Sequence, residues 1–172
     1  VLWDDAEKGN SSTELAKDQN IKRVVMCSGK VYFDLLEERD ARGLNDIYLL
    51  RFEQFYPFPA MSALKELERF QNAEMVWCQE EPKNQGAWSF MEPNIEWVLS
   101  RMKAKFKRPI YVGRPASASP ATGLASQHKE QQKLLVEEAL NLKENKKLLT
   151  IFPFQHLHLK RVWINLDVIN QI

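Results

Sequence analysis

Four short apolar runs, each followed by a stretch of helical periodicity, leave few folds open to this chain. Arg23-Val24-Val25-Met26-Cys27-Ser28 is closed by Gly29, and Ile47 to Arg51, Glu74 to Gln79 and Ile110 to Gly113 follow in turn. Unbroken, β-branched runs of this length suit strands covered on both faces, the condition of a parallel sheet. Parallel neighbours also need a long crossover, and the intervening segments supply one each time. After Gly29, Val31, Leu35, Leu36 and Phe33 share one side, with Glu37, Glu38, Arg39 and Arg42 on the other; Gly43 ends the helix. Pro57 and Pro59 frame a turn, with Pro59 in the first turn of a helix that carries Met61, Leu64, Leu67 and Phe70 inward. Pro93 suits a helix start, which places the third helix at about Glu92 to Lys103. Arg114 to Gly123 is too rich in Pro, Ser, Ala and Gly to be regular. Ser126 to Leu142 reads as a last helix with Leu134, Leu135 and Ala139 inward. The expected architecture is α/β: three layers, a mostly parallel sheet flanked by helices, with right-handed crossovers.

The two flanks differ from this core. Residues 1–20 are polar and acidic: Asp4, Asp5, Glu7, Glu14 and Asp18 outweigh Lys8 and Lys17 by a net −3. With Gly9 to Thr13 as turn chemistry, no packed element is expected there. Residues 143–172 are apolar, Ile-rich and basic, with Lys143, Lys146, Lys147, Lys160 and Arg161 against Glu144 and Asp167, a net +3. They read as an atypical tail, poorly packed, from an altered reading frame or forming an extra strand pair or interface element. The flank charges cancel, so the whole chain carries +1, which gives no global attraction to nucleic acid or an anionic membrane. No run reaches the roughly 18 apolar residues of a membrane span. The first residues, Val1-Leu2-Trp3-Asp4-Asp5, have no initiator Met and no signal-peptide pattern, and read as the middle of a longer chain. Cys27 and Cys78 sit inside apolar runs without metal or redox spacing and are expected as buried thiols.

In such a sheet, ligands bind beyond the carboxyl ends of the strands, where helix N-termini also point. Four segments converge there. Ser28-Gly29-Lys30 can offer backbone N–H groups and an ammonium to an anion, although the frame of a P-loop is absent; Gly29 also simply permits the strand-to-helix turn. Arg51 and Glu53 follow the second strand. Glu80 and Glu81 follow the third, and as consecutive residues they should point apart, one pairing with Arg51 or Arg114 and the other capping a helix. Arg114 follows the fourth, with Ser117 and Ser119 in the small-residue loop. No nucleophile constellation, GxGxxG or GDG with a distant Asn is present. His156 and His158 share one side of a strand but lack a third metal ligand. His128 reads as a solvated or capping residue, and Trp77, Trp88 and Trp97 as core or interface residues. No metal site, catalytic residue or complete active site is legible.

The segments KRVVMCSGKVYFDL (Lys22 to Leu35), LLRFEQFYPFP (Leu49 to Pro59), VWCQEEPKNQGAWSF (Val76 to Phe90) and YVGRPASASPATG (Tyr111 to Gly123) resemble the C-terminal domain of the E1 component of 2-oxoglutarate dehydrogenase, in that family's order and spacing. The resemblance runs from Val1 to about Leu142. It implies a transketolase C-terminal-domain-like fold at 21–142, with 1–20 as a leader from a preceding domain. It also implies a whole enzyme of the bacterial cytoplasm that uses thiamine diphosphate and magnesium to decarboxylate 2-oxoglutarate. That enzyme passes the succinyl group to the lipoyl domain of the E2 succinyltransferase in the citric acid cycle. The catalytic and cofactor residues of the family lie in the preceding domains, so neither cofactor is expected to bind this part alone. Its expected partners are the remainder of the E1 chain, a second E1 subunit in a homodimer, and E2.

Three readings follow. The chain is a C-terminal piece giving structure, dimer contacts and regulation, with Arg51, Glu53, Glu80, Glu81 and Arg114 on an interdomain surface. Alternatively it is an independent regulatory module that binds a nucleotide or coenzyme A at the strand ends, or the remnant of a disrupted gene.

Overall fold

A computed structural model describes residues 1–142. The expectations for the tail, and for His156 and His158, lie outside the described residues. Four strands form a wholly parallel sheet: β1 (Arg23–Cys27), β2 (Ile47–Arg51), β3 (Glu74–Gln79) and β4 (Ile110–Gly113), in the order β2-β1-β3-β4. Four helices follow them in turn: α1 (Val31–Ala41), α2 (Ala60–Leu67), α3 (Trp88–Arg101) and α4 (Ala125–Leu140).

Alternation along the strands divides the core in two. Val24, Met26, Tyr48, Leu50, Met75 and Trp77 pack against α2 and α3. Val25, Cys27, Ile47, Leu49, Val76, Cys78 and Val112 pack against α1 and α4. Each fully buried Val or Leu contributes about 1.5–3 kcal/mol relative to exposure, which is why both faces of these strands had to be apolar. The step from β1 to β2 and the step from β2 to β3 run in opposite directions and put α1 and α2 on opposite faces, as crossovers of one hand require. The chain direction therefore reverses between β1 and β3.

Helix faces depart from the sequence reading at several points. Arg39, expected on the outside of α1, is fully buried, while Phe33 is 54% exposed. Met61 lies outside α2, whose inner face is Ala63, Glu66 and Leu67. Helix α3 starts at Trp88, before Pro93. The proline removes a donor to the Ser89 carbonyl, but both residues are exposed, which leaves that carbonyl open to solvent. In α4 Leu135, Val136, Ala139 and Leu140 face inward and Leu134 is exposed. Arg23, buried at the start of β1, ties the end of α4 down by donating to the carbonyls of Glu138 (3.0 Å) and Ala139 (3.1 Å), and it pairs with Glu74. A cation at a helix C-terminus is favoured by the helix dipole.

The largest departure is the leader, which does carry packed structure. Asp4 is fully buried, and its carboxylate accepts from Arg39 Nη1, from the Leu49 N–H (2.7 Å) and from the Ala6 N–H (2.9 Å). Leu2 exchanges two backbone hydrogen bonds with Arg51, of 2.8 and 3.0 Å, as an antiparallel bridge along β2. Ser11 donates to Asp40, and Arg69 gathers Glu7, Asp18 and Glu66. Asp4, Glu7 and Asp18, three of the acidic residues that made the segment look like a solvated linker, dock it. Their cationic partners, Arg39 and Arg69, lie far along the chain, so no local pattern reveals them.

Candidate functional site

A cleft of 520 Å³ opens beyond the carboxyl ends of β1 and β3, at the reversal of strand order. That is where an open parallel sheet offers a crevice between loops leading to opposite faces. Ser28, Gly29 and Lys30 line one side, Glu80, Glu81 and Gly86 another, with Trp77 and Gln79 on β3 and Phe55, Tyr56, Ala87 and Phe90 around them. Gly29 takes φ +70°, the left-handed turn that lets the chain leave β1 and enter α1 at once.

The predicted residues divide into two groups. Ser28, Lys30, Glu80 and Glu81 are brought together in the cleft. Glu80 and Glu81 both line it because they lie past the end of β3, where strand alternation no longer separates them. The expected pairing of one with an arginine and capping by the other is not found among the described residues. Arg114 instead donates to the backbone carbonyl of Glu80 and reaches Gln132 (3.0 Å) and His128 (3.4 Å) on α4, while Arg51 lies 4.0 Å from Glu53. The α3 N-cap is Ala87, with no side-chain cap. Arg51 also stacks over the Tyr32 ring at 4.2 Å. Ser117 and Ser119 stay outside the cleft. The Ser117 backbone is stapled to the turn after β3 through Asn84 and Gln85, and Ser119 N–H bonds to the Ser117 hydroxyl.

Sequence reasoning places Gln79 in a strand-end segment but gives it no role, and misses the aromatic wall. Gln79 is buried; its amide donates to the carbonyls of Glu81, Pro82 and Gln85 and its oxygen accepts from Trp77 Nε1, so one side chain shapes the turn beneath the cleft. Gly86 completes that turn at φ +64°, and a Cβ there would lie 2.9 Å from the Gln79 amide. Tyr56 is 84% exposed, beside Phe55, whose ring meets Trp77 edge-on at 6.1 Å. The Phe-Tyr-Pro-Phe-Pro run after the second strand carried this signal, but it was read as a turn.

Lys30 lines the cleft with its ammonium already paired. Lys30 donates to Asp34 at 2.7 and 2.9 Å, and that carboxylate raises the pKa of its ammonium. The Gly29 N–H faces a carboxylate oxygen of Glu53 at 3.4 Å. Burial pushes the Cys27 and Cys78 thiols up, so neither supplies thiolate near neutral pH. Among the described residues there is no group of three or more His, Cys, Asp or Glu able to hold a metal ion, and the Gly29 N–H already faces the Glu53 carboxylate. These residues do not fit a diphosphate with its magnesium. No helix among the described residues is long and apolar enough to cross a membrane.

A doubly wound parallel sheet with helices on both faces and a crevice at its switch point defines a three-layer α/β domain. The chain belongs to the 2-oxoglutarate dehydrogenase C-terminal family, whose model matches residues 1–140. It is similar to the 2-oxoglutarate dehydrogenase E1 components of Brucella anthropi, Brucella ovis and Brucella suis, 60% identical to each over 141 residues, 81% of this chain. The match spans 14% of the length of each of those proteins.

Proposed function

We propose that this chain serves as the C-terminal domain of a 2-oxoglutarate dehydrogenase E1 protein of the bacterial cytoplasm. In this reading it gives structure, interdomain contacts and homodimer contacts, and has no decarboxylase activity alone. The family match over residues 1–140 carries the reading. It is supported by the strand-end side chains, since Gln79 and Arg114 direct hydrogen bonds to neighbouring protein groups and Arg51 stacks over the Tyr32 ring. The whole enzyme would decarboxylate 2-oxoglutarate with thiamine diphosphate and magnesium held elsewhere, and pass succinyl to the lipoyl group of E2. A domain exchange tests this. Residues 1–142 replace the matching segment of the Brucella anthropi E1 component, and 2-oxoglutarate decarboxylation is measured with thiamine diphosphate and magnesium. The exchanged protein should remain dimeric and active, and the isolated chain should be inactive. A folded but monomeric and inactive exchange protein, or an active isolated chain, overturns the proposal.

A second reading, a regulatory module for a nucleotide or coenzyme A, is favoured by the 520 Å³ cleft at the switch point. Calorimetric titration with AMP and acetyl-CoA tests it, and absence of heat with both removes it. A disrupted-gene remnant is distinguished by the flanking DNA: an open frame continuing the enzyme upstream excludes it.

A further inference from the structure

The leader closes the β2 edge of the sheet group by group. Leu2 exchanges both backbone hydrogen bonds with Arg51. The Asp4 carboxylate stands where a strand carbonyl would and takes the Leu49 N–H at 2.7 Å. Arg39, held by that carboxylate, donates to the Ile47 carbonyl at 3.4 Å. Ile47, Leu49 and Arg51 alternate along β2, as the residues whose backbone groups face away from β1 must. Strand β2 has no guard of its own, since Ile47–Arg51 contains neither Pro nor Lys, whereas β4 at the other edge is flanked by Pro109 and Pro115. The closure is held by polar contacts rather than by apolar burial. Of residues 1–20 only Asp4 and Thr13 are buried, both polar, and the buried apolar core begins at Ile21. Val1, Leu15 and Ala16 pack against it only in part. The other anchors are the Arg69 pairs with Glu7 and Asp18, the Ser11 and Ser12 bonds to Asp40, and the Ala16 N–H on the Asn45 carbonyl. A segment that buries so little apolar surface opens at a lower free energy than the strands it covers.

We propose that the leader is a releasable edge guard: a strap that opens as one unit while the sheet stays folded, and that when closed keeps β2 from pairing with β2 of a second copy. About Leu49 the outward set is symmetric, with Ile47 on one side and Arg51 on the other, so an antiparallel second copy matches it across a two-fold axis. The same backbone groups that Leu2, Asp4 and Arg39 now occupy would form that ladder. The inference is independent of whether the chain supports decarboxylation, because its readouts are amide exchange and association.

Amide exchange of the 15N-labelled full chain, followed by NMR, tests the opening. The Leu2, Ala16, Leu49 and Arg51 amides all bond between leader and body. They should share one protection factor, about 100-fold or more below that of Val25 in the central strand β1. Glu7→Gln with Asp18→Asn, at partly exposed positions, should lower that common factor about three- to tenfold. Adding Asp4→Asn should leave the four amides unprotected with Val25 still protected. By sedimentation velocity this triple variant should associate more than the parent chain, increasingly with concentration, and its Leu49 and Arg51 amides should slow again as the associated species fills. If the triple variant fails to fold, the parent chain is measured in the same way at a urea concentration that exposes the four amides and spares Val25. Leader amides as protected as Val25, unrelated factors among the four, an opened strap with no added association, or association that leaves Leu49 and Arg51 unprotected overturns the inference.

Discussion

Asp4→Asn should convert the leader from a docked segment into a detached one. The substitution keeps shape and removes charge, leaving the fully buried Arg39 guanidinium without its carboxylate. Removing one partner of a buried ion pair costs about 3–5 kcal/mol, because the surviving charge remains desolvated. Two further donors, the N–H groups of Leu49 and Ala6, also lose a charged acceptor. An unfolding entropy of about 2.1 cal/mol/K per residue gives about 0.3 kcal/mol/K for a unit of this size, so Tm should fall by roughly 10–17 °C. In urea, with m near 2 kcal/mol/M, the midpoint should fall by about 1.5–2.5 M. Hydrogen exchange locates the loss: the Arg51 N–H, which donates to the Leu2 carbonyl, should lose protection before the central strand β1. Adding Arg39→Met should recover part of the stability by removing the stranded charge. A Tm change under about 2 °C with leader amides still protected would refute the claim that this pair anchors the segment.

Three further outcomes follow from the same structure. Gly86→Ala should cost about 1–3 kcal/mol, since φ is +64° and the new Cβ meets the Gln79 amide at 2.9 Å; urea melts check it against Gly9→Ala, which is also at positive φ but opens to free space. Gln79→Leu leaves the Trp77 indole N–H and the carbonyls of Glu81, Pro82 and Gln85 without their partner, and should cost about 1–3 kcal/mol or more with a shift in tryptophan emission. Burial pushes the Asp40 pKa up, but hydrogen bonds from Ser11, Ser12 and Thr13 and the charge of Arg39 outweigh it and hold the pKa below its ordinary value. A depressed carboxylate pKa adds stability above its unfolded value, about 3.9, and loses it as pH falls through the folded value; denaturation at stepped acid pH should show a loss below about pH 4 that Asp40→Asn flattens.

The sheet was legible because every strand is buried on both faces and so had to be written as an unbroken apolar run. Three of the four strands have the bounds the runs predicted, and the first ends one residue earlier, at Cys27. Helix faces were less legible. Arg39 was read as a solvent residue by its charge, but Asp4, 35 positions away, neutralises it in the interior. In the cleft, Ser28, Lys30, Glu80 and Glu81 were found by the strand-end rule alone. Their partners were not, because Arg114 and Gln79 bind backbone carbonyls, which no side-chain pattern announces.

By itself, then, the sequence determined the layer architecture and the family, since local periodicity and ordered motif blocks are written in neighbouring residues. Only the tertiary structure decided that the leader packs along the sheet, that Lys30 pairs with Asp34 and Arg114 turns to the Glu80 carbonyl, and that aromatic rings and two carboxylates share the cleft. Those outcomes depend on which distant groups meet where solvent is excluded, and a charge in that setting takes its meaning from its partner.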